Sequence, residues 1–310
     1  MIENISETLS DTARERGART AVIEARSGRS CSFVELDGYA DRYGSYLQKE
    51  GVKSGDRVIL MIRPSIDFIA LAFALFRIGS PVILIDPGMG YKNLLRCIQS
   101  VKPDYLIGIP LAVGLSLIYH KKFKTVKRRF CCGSFMGIRK FDIRRRLSED
   151  AEPCNPFSPD ENSLAAIIFT TGSTGPPKGV RFEHSIFAAQ LQRIKSYYGI
   201  GKGDVDQPGF PLFALFSTAL GAKAVVPDMD PTRPAKVDPQ KFIRSIREHE
   251  VTYSFGSPAI WRVVSHYCRQ HNIRCDSLRK VLMAGAPVSG ELVNQVYDII
   301  TENGEVHTPY

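Results

Sequence analysis

The sequence predicts an α/β fold in which helices cover mostly parallel sheets, and three observations carry that prediction. Short apolar runs alternate with longer stretches of helical periodicity. Turns rich in Gly, Pro and Asp follow several of the apolar runs. At 310 residues, 44% hydrophobic and 24% charged, the chain has enough apolar material for one or two sizeable cores.

Taken in order, residues 5–16 read as a helix, and the stretch from Ala21 to Asp37 gives two short strands about a Ser-Gly-Arg turn. A second helix runs from Phe33 to Glu50. Val58–Ile62 is a short apolar strand, Ser65 opens a helix that continues to Arg77, and Pro81–Ile85 is a strand ending at Asp86-Pro87-Gly88. The rhythm continues with a helix near Tyr91–Gln99 and a strand near Tyr105–Ile109. The apolar stretch from Tyr105 to Tyr119 is too short for a bilayer span and holds Pro110, so it reads as a strand, a turn and the start of a helix. Residues 149–163 are rich in Pro, Asn, Ser and acid and form the expected linker. Beyond them come strands at Leu164–Phe169 and Val180–His184 and a helix at Ser185–Tyr197. Then strand and helix alternate: Ala224–Val226, Pro239–His249, Thr252–Phe255, Ala259–Gln270 and Lys280–Met283. Sheets of this kind hold ligands at the C-terminal ends of their strands.

The net charge of +9 is uneven, concentrated in KKFKTVKRRF from Lys121 and IRKFDIRRR from Ile138. No RNA-binding or zinc-finger pattern accompanies these runs, so no nucleic-acid partner is expected. They read as a solvated face, with a weak contact to a membrane surface, or docking of a partner, as the alternative. Seven cysteines without a CxxC pair fit reduced thiols in a cytosol, and no zinc or other metal ligand set is visible. The acidic start of the chain is unlike an export signal, which supports a cytoplasmic expectation.

The segment richest in chemistry is FTTGSTGPPKGV, Phe169–Val180. Gly172 and Gly175 let backbone NH groups approach an anion, the hydroxyls of Thr170, Thr171, Ser173 and Thr174 donate to phosphate oxygens, and Lys178 adds a charge. It is not a Walker A loop, since Lys178 is followed by glycine and a strand rather than by Ser/Thr and a helix.

The segment resembles the phosphate loop of the acyl-adenylating (AMP-binding) superfamily, which includes acyl-CoA synthetases, peptide-synthetase adenylation domains and luciferases. The resemblance implies that Thr170, Thr171, Ser173, Thr174 and Lys178 hold the β- and γ-phosphates of ATP, with Mg2+, while a carboxylate attacks the α-phosphate. Thr170 and Lys178 would then act in catalysis as well as binding. Further segments follow in the family's order. GFPLFALFSTALGA from Gly209 resembles the wall of the acyl pocket, and YSFGSPAI from Tyr253 resembles the turn lining it. These imply pocket roles for Phe213, Ala214, Phe216, Gly256 and Ser257. VLMAGAPVS from Val281 resembles the adenine-binding turn, implying that Gly285, Ala286 and Pro287 lie against the base; the alternative is a plain strand-to-helix turn with Pro287 at the helix start. EVHTPY brings Tyr310 to the first position of the Tyr-Gly-x-Thr-Glu motif, where the resemblance implies stacking on adenine.

The same resemblance implies a fold: the large N-terminal domain of the acyl-adenylating enzymes, two helix-covered and mostly parallel sheets packed together. The barrel subdomain and the small C-terminal domain would be largely absent. The expected subdomains are 58–200, and 1–57 with 201–310. A chain ending at Tyr310 would lack later phosphate, magnesium and ribose contacts and the adenylation lysine, so the expectation is little or no turnover by these residues alone. Ala214 stands where peptide-synthetase domains place an Asp for the substrate amine, which disfavours an amino-acid substrate. Two stretches, GFPLFALF and VVPDMDPTRPA, look like the olefin-biosynthesis branch, the β-lactone synthetases. That implies a long-chain β-hydroxy fatty acid, and partner enzymes of hydrocarbon biosynthesis. The alternatives are a fatty acyl-CoA or acyl-AMP ligase and, in another class, a non-catalytic nucleotide-binding module. The loop with Asp228, Asp230 and Arg233 reads as a Pro-stiffened surface turn with a local ion pair, and His184 as a helix-entry residue rather than a general base.

Overall fold

A computed structural model describes residues 4–135, 137–148, 152–170 and 177–309. Ten α-helices and thirteen strands are formed among them. The chain divides into two units, Met1–Asp11 with Asp37–Gln192, and Thr12–Leu36 with Arg193–Tyr310.

The first unit is built on six strands: β3 (Val58–Met61), β4 (Val82–Ile85), β5 (Tyr105–Gly108), β6 (Arg128–Cys131), β7 (Leu164–Thr170) and β8 (Lys178–Glu183). Their order across the sheet is β6-β5-β3-β4-β7-β8, parallel throughout except for the antiparallel β7–β8 pair. The inner strands read VILM, VILI and YLIG because both faces are covered, and such strands have no polar side to alternate with. Helix α3 (Ile66–Arg77) is buried over nearly its whole circumference, and Ser65 Oγ caps it by accepting from Phe68 N at 3.1 Å. The other helices entirely within this unit are α4 (Tyr91–Val101) and α5 (Pro110–Ile118).

The second unit carries seven strands: β1 (Thr20–Glu24), β2 (Ser30–Ser32), β9 (Val205–Asp206), β10 (Lys223–Val226), β11 (Tyr253–Gly256), β12 (Lys280–Met283) and β13 (Glu305–His307). The order is β13-β12-β11-β9-β10-β1-β2, and the pairings are parallel except for β1–β2. Helices α8 (Pro239–Glu248), α9 (Pro258–Gln270) and α10 (Gly290–Tyr297) share one core with β12, centred on Trp261, Ile246, Val281 and Met283. The short α7 (Phe213–Ala219) packs beside β10. Three helices cross from one unit to the other along the chain: α1 (Glu7–Arg16), α2 (Phe33–Lys49) and α6 (His184–Tyr198).

Three expectations are corrected. Residues 1–11 and 37–57 belong with the first unit, not the second. The reason is polar anchoring: buried Arg77 pairs with Asp37 and, at 3.5 Å, with Asp41, and Asn4 Nδ2 donates to Phe76 O and Phe157 O at 2.9 Å each. The described part of the expected linker is tied down rather than free. Phe157 N donates to Arg77 O at 2.7 Å, and Cys154 is buried close to Gly44. The basic runs form a solvated face as expected, with only Arg129 of their lysines and arginines less than exposed, and they include a strand, β6, at the sheet edge, where Phe130 and Cys131 are buried. Finally, α10 begins at Gly290 with Ser289 as its cap, so Pro287 lies in the turn before it rather than at its first residue.

Candidate nucleotide and acyl site

Parallel strands gather loops at one edge, and the expected site residues follow the C-terminal ends of strands in each unit. In the first unit β7 ends at Thr170 and β8 starts at Lys178, and the two are paired across the ladder. They form the neck of the loop that resembles a phosphate cradle. Thr171, Gly172, Ser173, Thr174 and Gly175 lie outside the described residues. Lys178 is exposed at the neck. Gly179, which the sequence offers as part of the loop motif, has a packing role: a Cβ there would meet Ile167 Cγ2 at 3.0 Å and Phe169 Cζ at 3.1 Å.

In the second unit the register Gly256↔Met283 aligns the ends of β11 and β12, and Leu282↔His307 does the same for β12 and β13. Ser257, Gly285 and the residues after His307 thus leave the sheet at one edge. Gly285 has φ +90° and open space where a side chain would stand, and Ala286 and Pro287 beside it are exposed. That is a backbone surface on which a flat ring can lie. Tyr310 lies outside the described residues.

Close to the end of β11 the backbone is crowded. Gly209 N donates to Phe255 O at 2.7 Å, and a Cβ on Gly256 would come within 2.9 Å of Trp261 Nε1. Ser257 Oγ and Trp261 Nε1 are both buried and without a hydrogen-bond partner among the described residues. They are one helical turn apart at the start of α9, and leaving both unpaired is costly unless a bound group or water meets them. Ser257 was expected as a pocket residue; Trp261 was not, although its place four residues on would have pointed to it.

Phe213 stacks on Phe255, ring centroids 3.5 Å apart at 12°, and it also meets Phe216 at 5.7 Å. Ala214 and Phe216 are buried, so the segment expected to wall an acyl chain is apolar at the position where an amine-binding acid would stand. Phe213 and Ser217 are four apart on α7, and Phe255 and Tyr253 alternate on β11, so a second layer lies one step below the aromatic stack. That layer is polar, and sequence reasoning missed it. Ser217 Oγ bonds to Asp206 and to Phe213 O at 2.9 Å, and Tyr253 OH donates to Ser217 Oγ at 3.0 Å. Burial pushes the Asp206 carboxyl up to about 8, partly offset by the Ser217 bond, and its Oδ1 has no partner among the described residues. The upward shift favours the protonated form of this carboxyl, because burial penalises its charge.

Of the other residues singled out, Asp228 pairs with Lys241 at 2.9 Å and Arg26 at 3.7 Å rather than with Arg233. Asp230 Oδ1 accepts from Thr232 N at 3.0 Å within its own turn. No cluster of three or more His, Cys, Asp or Glu side chains forms among the described residues. Mg2+ would enter with ATP, whose phosphate oxygens are its natural ligands.

The profile of the AMP-binding enzyme family matches residues 9–310. The chain belongs to that family. Among curated AMP-binding relatives, an olefin β-lactone synthetase from Stenotrophomonas maltophilia is 36% identical over 322 residues, covering 99% of this chain and 57% of that protein. The chain thus spans just over half the length of that relative. Among solved structures, a long-chain-fatty-acid–CoA ligase from Archaeoglobus fulgidus superposes with a TM-score of 0.82 at 21% identity, over 96% of this chain and 60% of that one. The N-terminal domain of FACL13 from Mycobacterium tuberculosis gives 0.81 at 19% identity, over 98% and 74%. At these identities the likeness establishes the fold of the AMP-binding enzymes.

Proposed function

We propose that this chain forms the nucleotide- and acid-binding part of an AMP-forming ligase whose substrate is a long-chain β-hydroxy carboxylic acid. The carboxylate attacks the α-phosphate of ATP, pyrophosphate leaves, and the acyl-adenylate forms. The substrate's hydroxyl oxygen then attacks the acyl carbonyl, gives up its proton, and expels AMP to close a four-membered lactone. No external thiol takes part, because the nucleophile is already tethered to the carbonyl.

One observation carries the choice of acid: 36% identity along 99% of the chain to an olefin β-lactone synthetase. The site supports it. The stacked Phe213–Phe255 wall and buried Ala214 suit an aliphatic chain and offer no counter-charge to an amino-acid ammonium. In this reading Thr170, Thr171, Ser173, Thr174 and Lys178 cradle the leaving phosphates, while Gly285, Ala286, Pro287 and Tyr310 receive adenine. Thr170 and Lys178 act on the developing charge as pyrophosphate departs. A second reading, a fatty acyl-CoA ligase, shares the first half-reaction and the same fold.

Product analysis separates them. The complete protein, given ATP, Mg2+ and a 3-hydroxy fatty acid without CoA, is expected to release AMP and a product lighter than the acid by one water. Product that appears only when CoA is added would select the second reading, and an acid left untouched under both conditions would refute both.

A further inference from the structure

The chain's net charge is +9, yet between Pro110 and Ser148 eleven lysines and arginines face one acid, Asp142, so this segment alone accounts for +10. Within the first unit these residues form α5, the turn after it, β6 and the short helical turns Arg139–Phe141 and Ile143–Arg145. Part of the charge is structural: Lys127 meets Asp56 and Asp104, Arg128 meets Glu50, and Arg144 meets Asp142. Lys121, Lys122, Lys124, Arg139 and Lys140 have no acidic partner among the described residues.

Beside this charge lies an apolar face that α5 leaves uncovered. Leu111 and Ile118, seven residues apart and so on one side of the helix, are 64% and 70% exposed. Gly114 sits on the same stripe, and the Phe135 ring comes within 3.9 Å of where its Cβ would be. Phe141 packs edge-on against Phe135 at 6.4 Å with Lys140 over its ring at 5.7 Å, and it remains substantially exposed, as does Ile138. The opposite side of α5 is fixed: Val113 is buried, and Ser116 Oγ accepts from Arg129 Nε at 2.8 Å.

Aliphatic side chains on one helix face, with aromatic rings beside them and lysines that have no acidic partner among the described residues, match a surface offering hydrocarbon beneath negative headgroups. Nucleic acid or an acidic protein segment would satisfy the lysines and leave Leu111 and Ile118 in water. We infer that this face docks the chain on an anionic lipid surface, with the Leu111–Ile118 stripe of α5 in the headgroup layer and Lys121, Lys122 and Lys124 on the headgroups. No helix among the described residues is long and apolar enough to cross a membrane, so the contact is peripheral. The inference stands independently of which acid the site activates.

The test is co-sedimentation of the purified protein with phosphatidylcholine vesicles, with and without phosphatidylglycerol, at about 0.1 M and about 1 M salt, where the screening length falls from roughly 10 to roughly 3 Å. Binding is expected only with phosphatidylglycerol and only at low salt. Replacing Lys121, Lys122 and Lys124 by Glu should weaken it roughly a hundredfold or more, since each lysine at such a surface contributes about fivefold. Leu111→Gln with Ile118→Gln should weaken it by roughly tenfold while leaving the helix intact by circular dichroism. A control with Lys49, Arg193 and Lys236 changed to Glu should bind as the parent does. The inference is overturned if the protein ignores anionic vesicles, if the control loses as much as the lysine variant, or if the Gln pair has no effect. Retention on an acidic polypeptide matrix without vesicle binding would assign the face to an acidic macromolecule instead.

Discussion

His184 begins α6 with its side chain almost wholly buried beside the rings of Phe76 and Phe157. Ile5 N donates to its Nδ1 at 3.3 Å, so the ring is neutral with its hydrogen on Nε2, which has no partner among the described residues. Burial holds its pKa down at about 4 against an ordinary 6.5. With the folded value below the unfolded one, the unfolded chain binds the extra proton first. Stability is therefore complete above pH 6.5 and falls as the pH drops toward 4, by about 3 kcal/mol for this group. Urea denaturation at several pH values should show that slope, and His184→Phe should flatten it; an unchanged slope would assign the pH dependence elsewhere. The sequence placed His184 at a helix entry and gave no hint of this burial, because the covering rings lie far away along the chain. Asp206 is the same lesson in reverse: an acid in the polar run Gly203-Asp204-Val205-Asp206-Gln207 reads as a surface residue until β10 and β11 flank it and Ser217 and Tyr253 close over it.

At the scale of elements, strands that read as unbroken apolar runs were legible within a residue or two, since burial on both faces leaves no room for polar residues. Helices α3, α8 and α9 were legible from caps and periodicity, with Asp238 accepting from Gln240 N at 3.0 Å at the start of α8. Edge and short elements were not. In β6 the arginines lie at a sheet edge and hide the strand, and in α7 seven residues of mostly apolar sequence carry no period to distinguish helix from pocket wall. Several contacts hold α2 in the first unit, among them the bond from Tyr43 OH to Asp67 Oδ1 at 2.7 Å and a buried cation. Arg77 is bonded to Asp37 and Ser10 and lies near Asp41, fastening part of α2 to α3. Arg77→Ala would strand two carboxylates at a largely buried position and is expected to cost about 3 kcal/mol or more, read as a lowered urea midpoint with an unchanged denaturant slope. A loss below about 1 kcal/mol would show that water already shares those charges.

For the molecule as a whole, a ligand that binds only the folded chain raises its stability by mass action, about 2.7 kcal/mol at a concentration one hundred times its dissociation constant. ATP with Mg2+ is expected to raise the melting temperature, and Lys178→Ala should need a higher ATP concentration for the same rise. An identical titration would remove Lys178 from the ground-state phosphate contacts. Local chemistry and the order of segments along the chain were enough to point to the α/β class and the family. Backbone propensity and loop composition act over a few residues and are written in sequence. Only the tertiary structure decided that residues 37–57 join the first unit, that Ser257 Oγ and Trp261 Nε1 are buried without a partner among the described residues, that a carboxyl is buried beneath the Phe213–Phe255 stack, and that α5 keeps an apolar face outward. Each of these depends on which distant side chains close over a group, because burial sets the free energy of a charge, a hydroxyl or a leucine, and burial is a property of packing rather than of neighbours in the chain.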